Sequence, residues 1–435
     1  MRVFHFVLFG ALVLFSAPAN ADQISPQMAD RPGPTPESGL AGPATIRSLA
    51  EQTFSAEPPA KPDPASEKRS QVERIAAAQT KLAFELISHL SSEVTTNVIV
   101  SPASLASASA LLVKGADDGM KSALAAALGF DETADPGKNR AALRQAREAL
   151  RAEKSAILQS ADLIVVDPES PLPRHLAARL KKTGARFMTE DLSKPAAVAR
   201  VDAWVKETTD GAIPELIGAP LDKSAFAVLN ALRFKAQWKE PFDPQRTTQA
   251  QFQSIDGASE PVALMRLAAG PRAYRADDKF IGIDLTFADE RFSLTLVTTT
   301  EKPAAVTDFA AVKDWLAGSG FSERKGDLAL PRFKLSSRTD LLPALDALGL
   351  AAARQTPTAL RGFGQGAALT RIVQRTNFEI DEQGATAAAA TAIIGRRAVD
   401  DTLHMIVDKP FIFALRDRTS GLVLVAGYIG RAPSD

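Results

Sequence analysis

Cysteine is absent from the 435 residues. No disulfide and no thiol chemistry is open to the chain, so its stability rests on an apolar core, which this length can build. A surplus of charge is missing too, because 51 basic residues balance 51 acidic ones. Zero net charge removes the bulk electrostatic case for nucleic acid or an anionic membrane as partner. The densest basic stretch, Arg179, Lys181, Lys182 and Arg186, lies in a helix-like segment and reads as a solvated helix face. Histidine is scarce. Beyond residue 21 only His89, His175 and His404 remain, far apart and without partners at metal-ligand spacing, so neither a metal nor another cofactor is expected. Apolar runs of bilayer-spanning length are missing as well.

Catalytic patterns are equally thin. Gly-x-Ser-x-Gly does not occur, and no glycine-rich phosphate loop follows a predicted strand. Ser322 and Lys325 have the Ser-x-x-Lys spacing of penicillin-recognising enzymes. That chemistry needs the serine at a buried helix start, whereas Ser322-Glu323-Arg324-Lys325 reads as charged and turn-like. Asp400 and Asp401 are adjacent acids on an irregular segment and read as solvated. No nucleophile, base and orienting group assemble, so the chain is not expected to be an enzyme.

What the chain does contain is a sequence of distinct textures. Residues 1–21 read as a signal peptide: Arg2 gives a positive start, Val7–Phe15 a short apolar run, and Ala19-Asn20-Ala21 a small-x-small cleavage pattern. Residues 22–69 read as a disordered linker, rich in proline from Pro26 to Pro64 and without apolar period. From residue 70 to 435 the pattern is that of a folded domain. Ile75, Ala78, Leu82 and Leu86 recur at helical spacing. A β-branched run at Asn97–Val100 ends at Ser101-Pro102, which suits an N-cap followed by proline at the first helical position. The helix predicted over 103–113 stops at Gly115, read as a C-terminal glycine. Strands are predicted at 161–166, 226–234, 292–299, 378–380, 411–415 and 422–428, the last two joined as a hairpin. Helices come first and antiparallel strands dominate later, so the class is α+β. No internal repeat is visible.

One segment stands apart: Phe378 to Val399, whose centre is Gly384-Ala385-Thr386-Ala387-Ala388-Ala389-Ala390-Thr391. By composition alone it is an alanine helix, since alanine is the strongest helix former. Its surroundings favour a strand, with β-type residues leading in, Gly384 breaking the run, and Thr391, Ile393 and Ile394 following. As a strand, Ala385, Ala387, Ala389 and Thr391 share one face and Thr386, Ala388, Ala390 and Ala392 the other. Both faces are small enough to enter a packed sheet.

These residues resemble the reactive-loop hinge of the serpins, and the likeness runs from about Ser70 to Pro433. Asn97-Val98-Ile99-Val100-Ser101-Pro102-Ala103-Ser104-Leu105 is similar to that family's strand-to-helix opening. Asp202-Ala203-Trp204-Val205 with Thr208 to Ile213, Leu229-Asn230-Ala231 through Phe242, Leu330-Pro331-Arg332-Phe333-Lys334, and Asp408-Lys409-Pro410-Phe411 through Gly427 resemble further family motifs, in order.

The resemblance implies a serpin fold: three β-sheets, about eight to nine helices and an exposed reactive-centre loop. It implies a monomeric suicide-substrate inhibitor of secreted serine proteases of the elastase, subtilisin or trypsin type, or else a non-inhibitory binder or chaperone on the same scaffold. Glu382, Gly384 and residues 385–391 match the hinge. Ser101, Ser104 and Asn230 match the shutter beneath the main sheet, with Gln374 where the family commonly has histidine, and Trp204 matches the breach. Family spacing from Glu382 places the reactive bond between Ala398 and Val399, and a shorter count places it between Arg397 and Ala398, or after Arg396. The signal pattern of residues 1–21 places the expected mature protein outside the cytoplasm, secreted or periplasmic, with no membrane span, and no cofactor is expected.

Overall fold

The computed structural model describes residues 64–92, 97–130, 158–182, 186–221, 226–300, 310–384 and 402–434. The signal peptide, almost all of the proline-rich segment, residues 385–391 of the hinge and the reactive bond at 397–399 lie outside them.

Helix α1 is Pro64–Ser92, so its first turns fall within the stretch read as linker. Strand β1 (Val98–Val100) leads into α2 (Pro102–Leu112), followed by α3 (Asp118–Ala127), β2 (Leu158–Val166), α4 (Arg174–Lys182), β3 (Arg186–Thr189) and α5 (Pro195–Thr208). The rest is strand-rich: β4 (Phe226–Phe234), β5 (Thr248–Gln253), β6 (Ser259–Ala276), β7 (Phe280–Thr286), β8 (Phe292–Thr299), the single turn α6 (Lys313–Leu316), β9 (Ser322–Pro331) and β10 (Phe333–Asp340). Kinked helical turns at 342–354 precede β11 (Arg371–Ile380), β12 (Leu403–Ile406), β13 (Phe411–Asp417) and β14 (Val423–Ile429). Helices early and antiparallel strands late is the α+β order expected.

Among the described residues the strands form two sheets. One has five strands in the order β10-β11-β4-β2-β3. The other runs β1-β14-β13-β8-β7-β6-β9-β12, with β5 added beside β6. The resemblance implies three sheets, and two of them are joined by hydrogen bonds here. The cause is β6, which pairs with β5 and β9 along one stretch and with β7 and β9 along the other, bending at an irregularity between Leu267 and Gly270.

The main core lies between the sheets and contains a cluster of rings from both. Phe378 of β11 stacks on Phe413 of β13 at 5.3 Å, with Phe333 and Phe411 beside them. In β4 the period-two pattern places Phe226, Val228, Leu232 and Phe234 in this core. Ala227, Leu229 and Ala231 face the opposite way, into a second cluster under α5 and the segment around Ile213–Ile217. Both faces of β4 are therefore covered, and that is why its sequence reads as a nearly continuous apolar run. Asn230 interrupts the run on the inner face.

Two local readings change. Gly115 is not a left-handed helix cap. A Cβ there would meet the ring of Phe363 at 2.4 Å, so glycine is needed for close packing. Ser322 opens strand β9 and is exposed, rather than sitting in a turn, and a strand has no buried helix start to activate it.

Candidate functional site

The feature that sets the five-stranded sheet apart is the seam between β4 and β11. These two strands run parallel, with Ala227 to Arg233 facing Arg371 to Asn377, while β10 and β2 flank them antiparallel. Where β11 ends, residues 381–384 turn back. Gly384 then forms isolated antiparallel bridges to Asp381 on one side and Gln237 on the other. The chain beyond β11 thus begins between the ends of the two seam strands, antiparallel to both. Only glycine can stand there: φ is +117°, and a Cβ would lie 2.4 Å from the Ala236 carbonyl oxygen and 2.6 Å from the Trp238 nitrogen.

Trp238 anchors this turn. It is 3 % exposed, its ring stacks on Phe287 at 4.4 Å, and its Nε1 donates to the Asp381 carbonyl at 3.0 Å. Its backbone N–H donates to the Gln383 carbonyl at 3.0 Å, and that of Phe242 to the Glu382 carbonyl at 2.8 Å. Glu382 is buried and accepts from Arg332 at 2.5 Å and from the Thr247 hydroxyl at 2.6 Å. Burial pushes its carboxyl up, but the bonds from Arg332 and Thr247 outweigh burial and hold it below the usual carboxylate range. Asp381 goes the other way. Burial raises it, and the neighbouring charges of Glu382 and Glu379 add to the rise against a backbone N–H from Gln383.

Midway along the seam a row of polar side chains crosses the inner face. The registers pair Thr339 with Gln374, Gln374 with Asn230, and Asn230 with Asp162. Helix α2 lies over the row. Gln374 accepts from the Ser101 N–H at 2.7 Å and donates to the Ser101 carbonyl at 3.0 Å. Ser101 caps α2 by accepting from the Ser104 N–H, and its hydroxyl donates to the Leu424 carbonyl at 2.6 Å. On the other side of the seam, Asn230 donates to Asp162 at 2.6 Å, and Ser107 of α2 donates to the same carboxylate at 2.6 Å. The side-chain bonds of Gln374 therefore stay with α2, and those of Asn230 stay with β2. Neither reaches across the seam.

The structure brings Ser101, Ser104, Asn230 and Gln374 near one another, through the Gln374–Ser101 and Ser101–Ser104 bonds and the Asn230–Gln374 register. Glu382 and Gly384 stand at the start of the loop. Trp204 sits elsewhere, partly buried on α5 against the second cluster, and the tryptophan bonded to the turn is Trp238. Asp162, Ser107, Arg332 and Thr247 were not singled out from the sequence. An acid inside Ala161–Val166, an otherwise apolar strand, was the available signal for Asp162.

Comparison with known proteins decides the family. The family model Serpin (serine protease inhibitor) matches residues 77–431. The chain belongs to the serpin family. A leukocyte elastase inhibitor of Sus scrofa is 28 % identical over 375 residues, covering 82 % of this chain and 99 % of the relative. Serine protease inhibitor 42Dd of Drosophila melanogaster is 27 % identical, covering 80 % and 94 %. The crystal structure of Serpin48, described as a highly specific serpin in the insect Tenebrio molitor, superposes with a TM-score of 0.71 at 25 % identity, covering 82 % of this chain and 98 % of that one. Within this serpin the described residues hold β4 and β11 paired directly, with nothing between them below Gly384.

Proposed function

We propose that the chain is a suicide-substrate inhibitor of serine proteases. The observation that carries this reading is the parallel β4–β11 seam with Gly384 wedged at its open end. A strand continuing from Gly384 would run antiparallel to both neighbours. One parallel ladder would be exchanged for two antiparallel ones, which are slightly more stable per residue. Residues 385–398 at about 3.3 Å each span roughly 46 Å, enough to carry a group attached at 398 past the far end of the seam at Arg371 and Ala227.

The chemistry follows from that geometry. The protease serine attacks the carbonyl carbon of Ala398, the bond to Val399 breaks, and the Val399 amine leaves with a proton. An ester then joins Ala398 to the enzyme. Insertion carries the acyl-enzyme away before water can hydrolyse the ester. Cleavage after Ala398 suits elastase- or subtilisin-like enzymes, and cleavage after Arg397 a trypsin-like one. The likeness to named elastase inhibitors supports the first. The apolar start and small-x-small pattern of residues 1–21 support export as a bacterial-type secreted member, and no described helix is long and apolar enough to cross a membrane.

Incubation with elastase-, subtilisin- and trypsin-like enzymes tests the reading. The expected product is a complex with one of them that survives denaturation and contains the fragment ending at Ala398. Clean cleavage by all three without a complex overturns it.

A further inference from the structure

The outer face of the five-stranded sheet carries positive charge that its own acids do not answer. Ala227, Leu229 and Ala231 of β4 and Val373 of β11 lie in the second cluster on this face. Side chains alternate along a strand, so Arg233 and Arg375 follow them on the same side. Arg338 of β10 stands directly opposite Arg375 in the register. Arg338 is exposed, while Arg233 and Arg375 are half-buried at the margin of the cluster. Among the described residues none of the three makes a hydrogen bond or an ion pair, and the Nε of Arg375 is buried with no acceptor.

Like charges facing one another across an antiparallel pair destabilise it, so a counter-charge is called for. The acids of β10 and β11 on this face are already taken. Asp340 meets Arg371 at 3.3 Å, and Glu379 meets Lys334 at 3.6 Å. Asn377, beside Arg233 in the ladder, donates to the Ala212 carbonyl at 3.2 Å and accepts from Ser336 at 2.8 Å. These bonds tie the turn after α5 to the same corner. Arg338 and Arg375 sit on paired strands, with Cβ atoms roughly 5 Å apart. Arg233 is one strand and two positions from Arg375, a Cα separation of about 8 Å at ordinary strand spacing. Three side chains of arginine length can converge on one ligand over those distances. The planar guanidinium fork matches the oxygen pairs of phosphate and carboxylate.

We infer that Arg233, Arg338 and Arg375 form a binding site for a small oxyanion of the phosphate or dicarboxylate class. The site lies across the β4–β11 seam. Arg233 and Asn377 are the last pair of that parallel ladder, next to the bridges of Gly384. A strand entering there would part β4 from β11 by a further strand spacing, about 4.8 Å, and draw Arg233 away from the ligand. An occupied site therefore favours the closed seam. That consequence rests on the loop-insertion reading above, whereas the binding site itself does not.

The test titrates the intact full-length chain with sodium phosphate and with sodium succinate, at an ionic strength held constant with sodium chloride. Calorimetry and melting temperature report binding. At ten times its dissociation constant, the ligand should raise the melting temperature by roughly 2 °C. Arg375→Gln and Arg338→Gln should each weaken binding about tenfold or more, and Arg179→Gln on α4 should leave it unchanged. Binding of phosphate supports a tetrahedral ligand and binding of succinate a dicarboxylate. Binding of neither, or binding indifferent to both substitutions, overturns the site. Saturating ligand should also raise the stoichiometry of inhibition of subtilisin or elastase by wild type, and should have no such effect on Arg375→Gln. Binding without that rise overturns the hold on the seam. Intact binding by a chain that inhibits neither enzyme overturns the insertion reading and leaves the site standing.

Discussion

The two sheets share one core but are closed in different ways. In the nine-stranded sheet, β13 is antiparallel to both β8 and β14, and all seven of its residues are buried. Its closure is made by interlocked rings and by Gly427, where a Cβ would strike the ring of Phe413. In the five-stranded sheet, the β4–β11 seam is parallel and has alanines at 227 and 231 on its outer face. On its inner face stands a polar row whose side-chain bonds run away from the seam on each side. A sheet that must accept a strand needs no weak core. It needs a boundary whose backbone bonds can be exchanged and whose side-chain bonds need not be broken.

The largest expected effect on inhibition strikes the seam. If the strand beyond Gly384 inserts as proposed, position 387 would pass between Phe378 and Phe234, so Ala387→Arg would bring an unpaired charge into the ring cluster. Inhibition should give way to substrate turnover, with the stoichiometry rising about tenfold or more, corresponding to ~1.4 kcal/mol in the partition. Melting of the intact form should be unchanged. Unaltered stoichiometry would mean that position 387 does not travel down this seam.

Phe413→Ala sharpens the contrast from the other sheet. Loss of the ring should cost about 3–5 kcal/mol. Intact and cleaved forms should lose it alike, because β13 keeps the same neighbours in both. Calorimetry of the two forms checks this, and a change in the gap between them would show that the sheets are not independent.

The smallest effect concerns the turn that joins the regions. Glu382 titrates below its ordinary range in the folded protein. Its stabilisation is therefore full above the unfolded carboxylate range and is lost as pH falls through the depressed folded value. Asp381 is raised, so its ionised form opposes folding at neutral pH, and that opposition is relieved on acidification. Glu382→Gln should lower stability by about 1–3 kcal/mol near pH 7. The deficit should shrink toward zero below the folded pKa of Glu382, as melting curves between pH 3 and pH 7 would show. A deficit independent of pH would assign the anchor to shape rather than charge.

Much of the architecture was legible because its signals are local. The span of β4, the cap at Ser101 and the final hairpin follow from alternation, a serine–proline pair and turn residues. The site was legible only where a residue looked out of place in its own segment, as Asn230 does in an apolar strand. Trp204 and Trp238 look alike in sequence, and only packing put one on α5 and the other against the turn. Gly115 was read as a cap because caps are local, whereas its reason is a ring from residue 363. Arg332 and Thr247 meet Glu382 across 50 and 135 positions, a distance over which no spacing rule operates.

The sequence by itself determined the family, the order of elements and the small side chains of residues 385–391, because each is written in neighbouring residues or in motifs kept in order. Only the tertiary structure decided that β4 and β11 are parallel partners and that Gly384 stands between their ends. Strand partners are chosen by the joint burial of both faces and by the satisfaction of every buried polar group. Those are properties of the assembled chain, and no segment carries them alone.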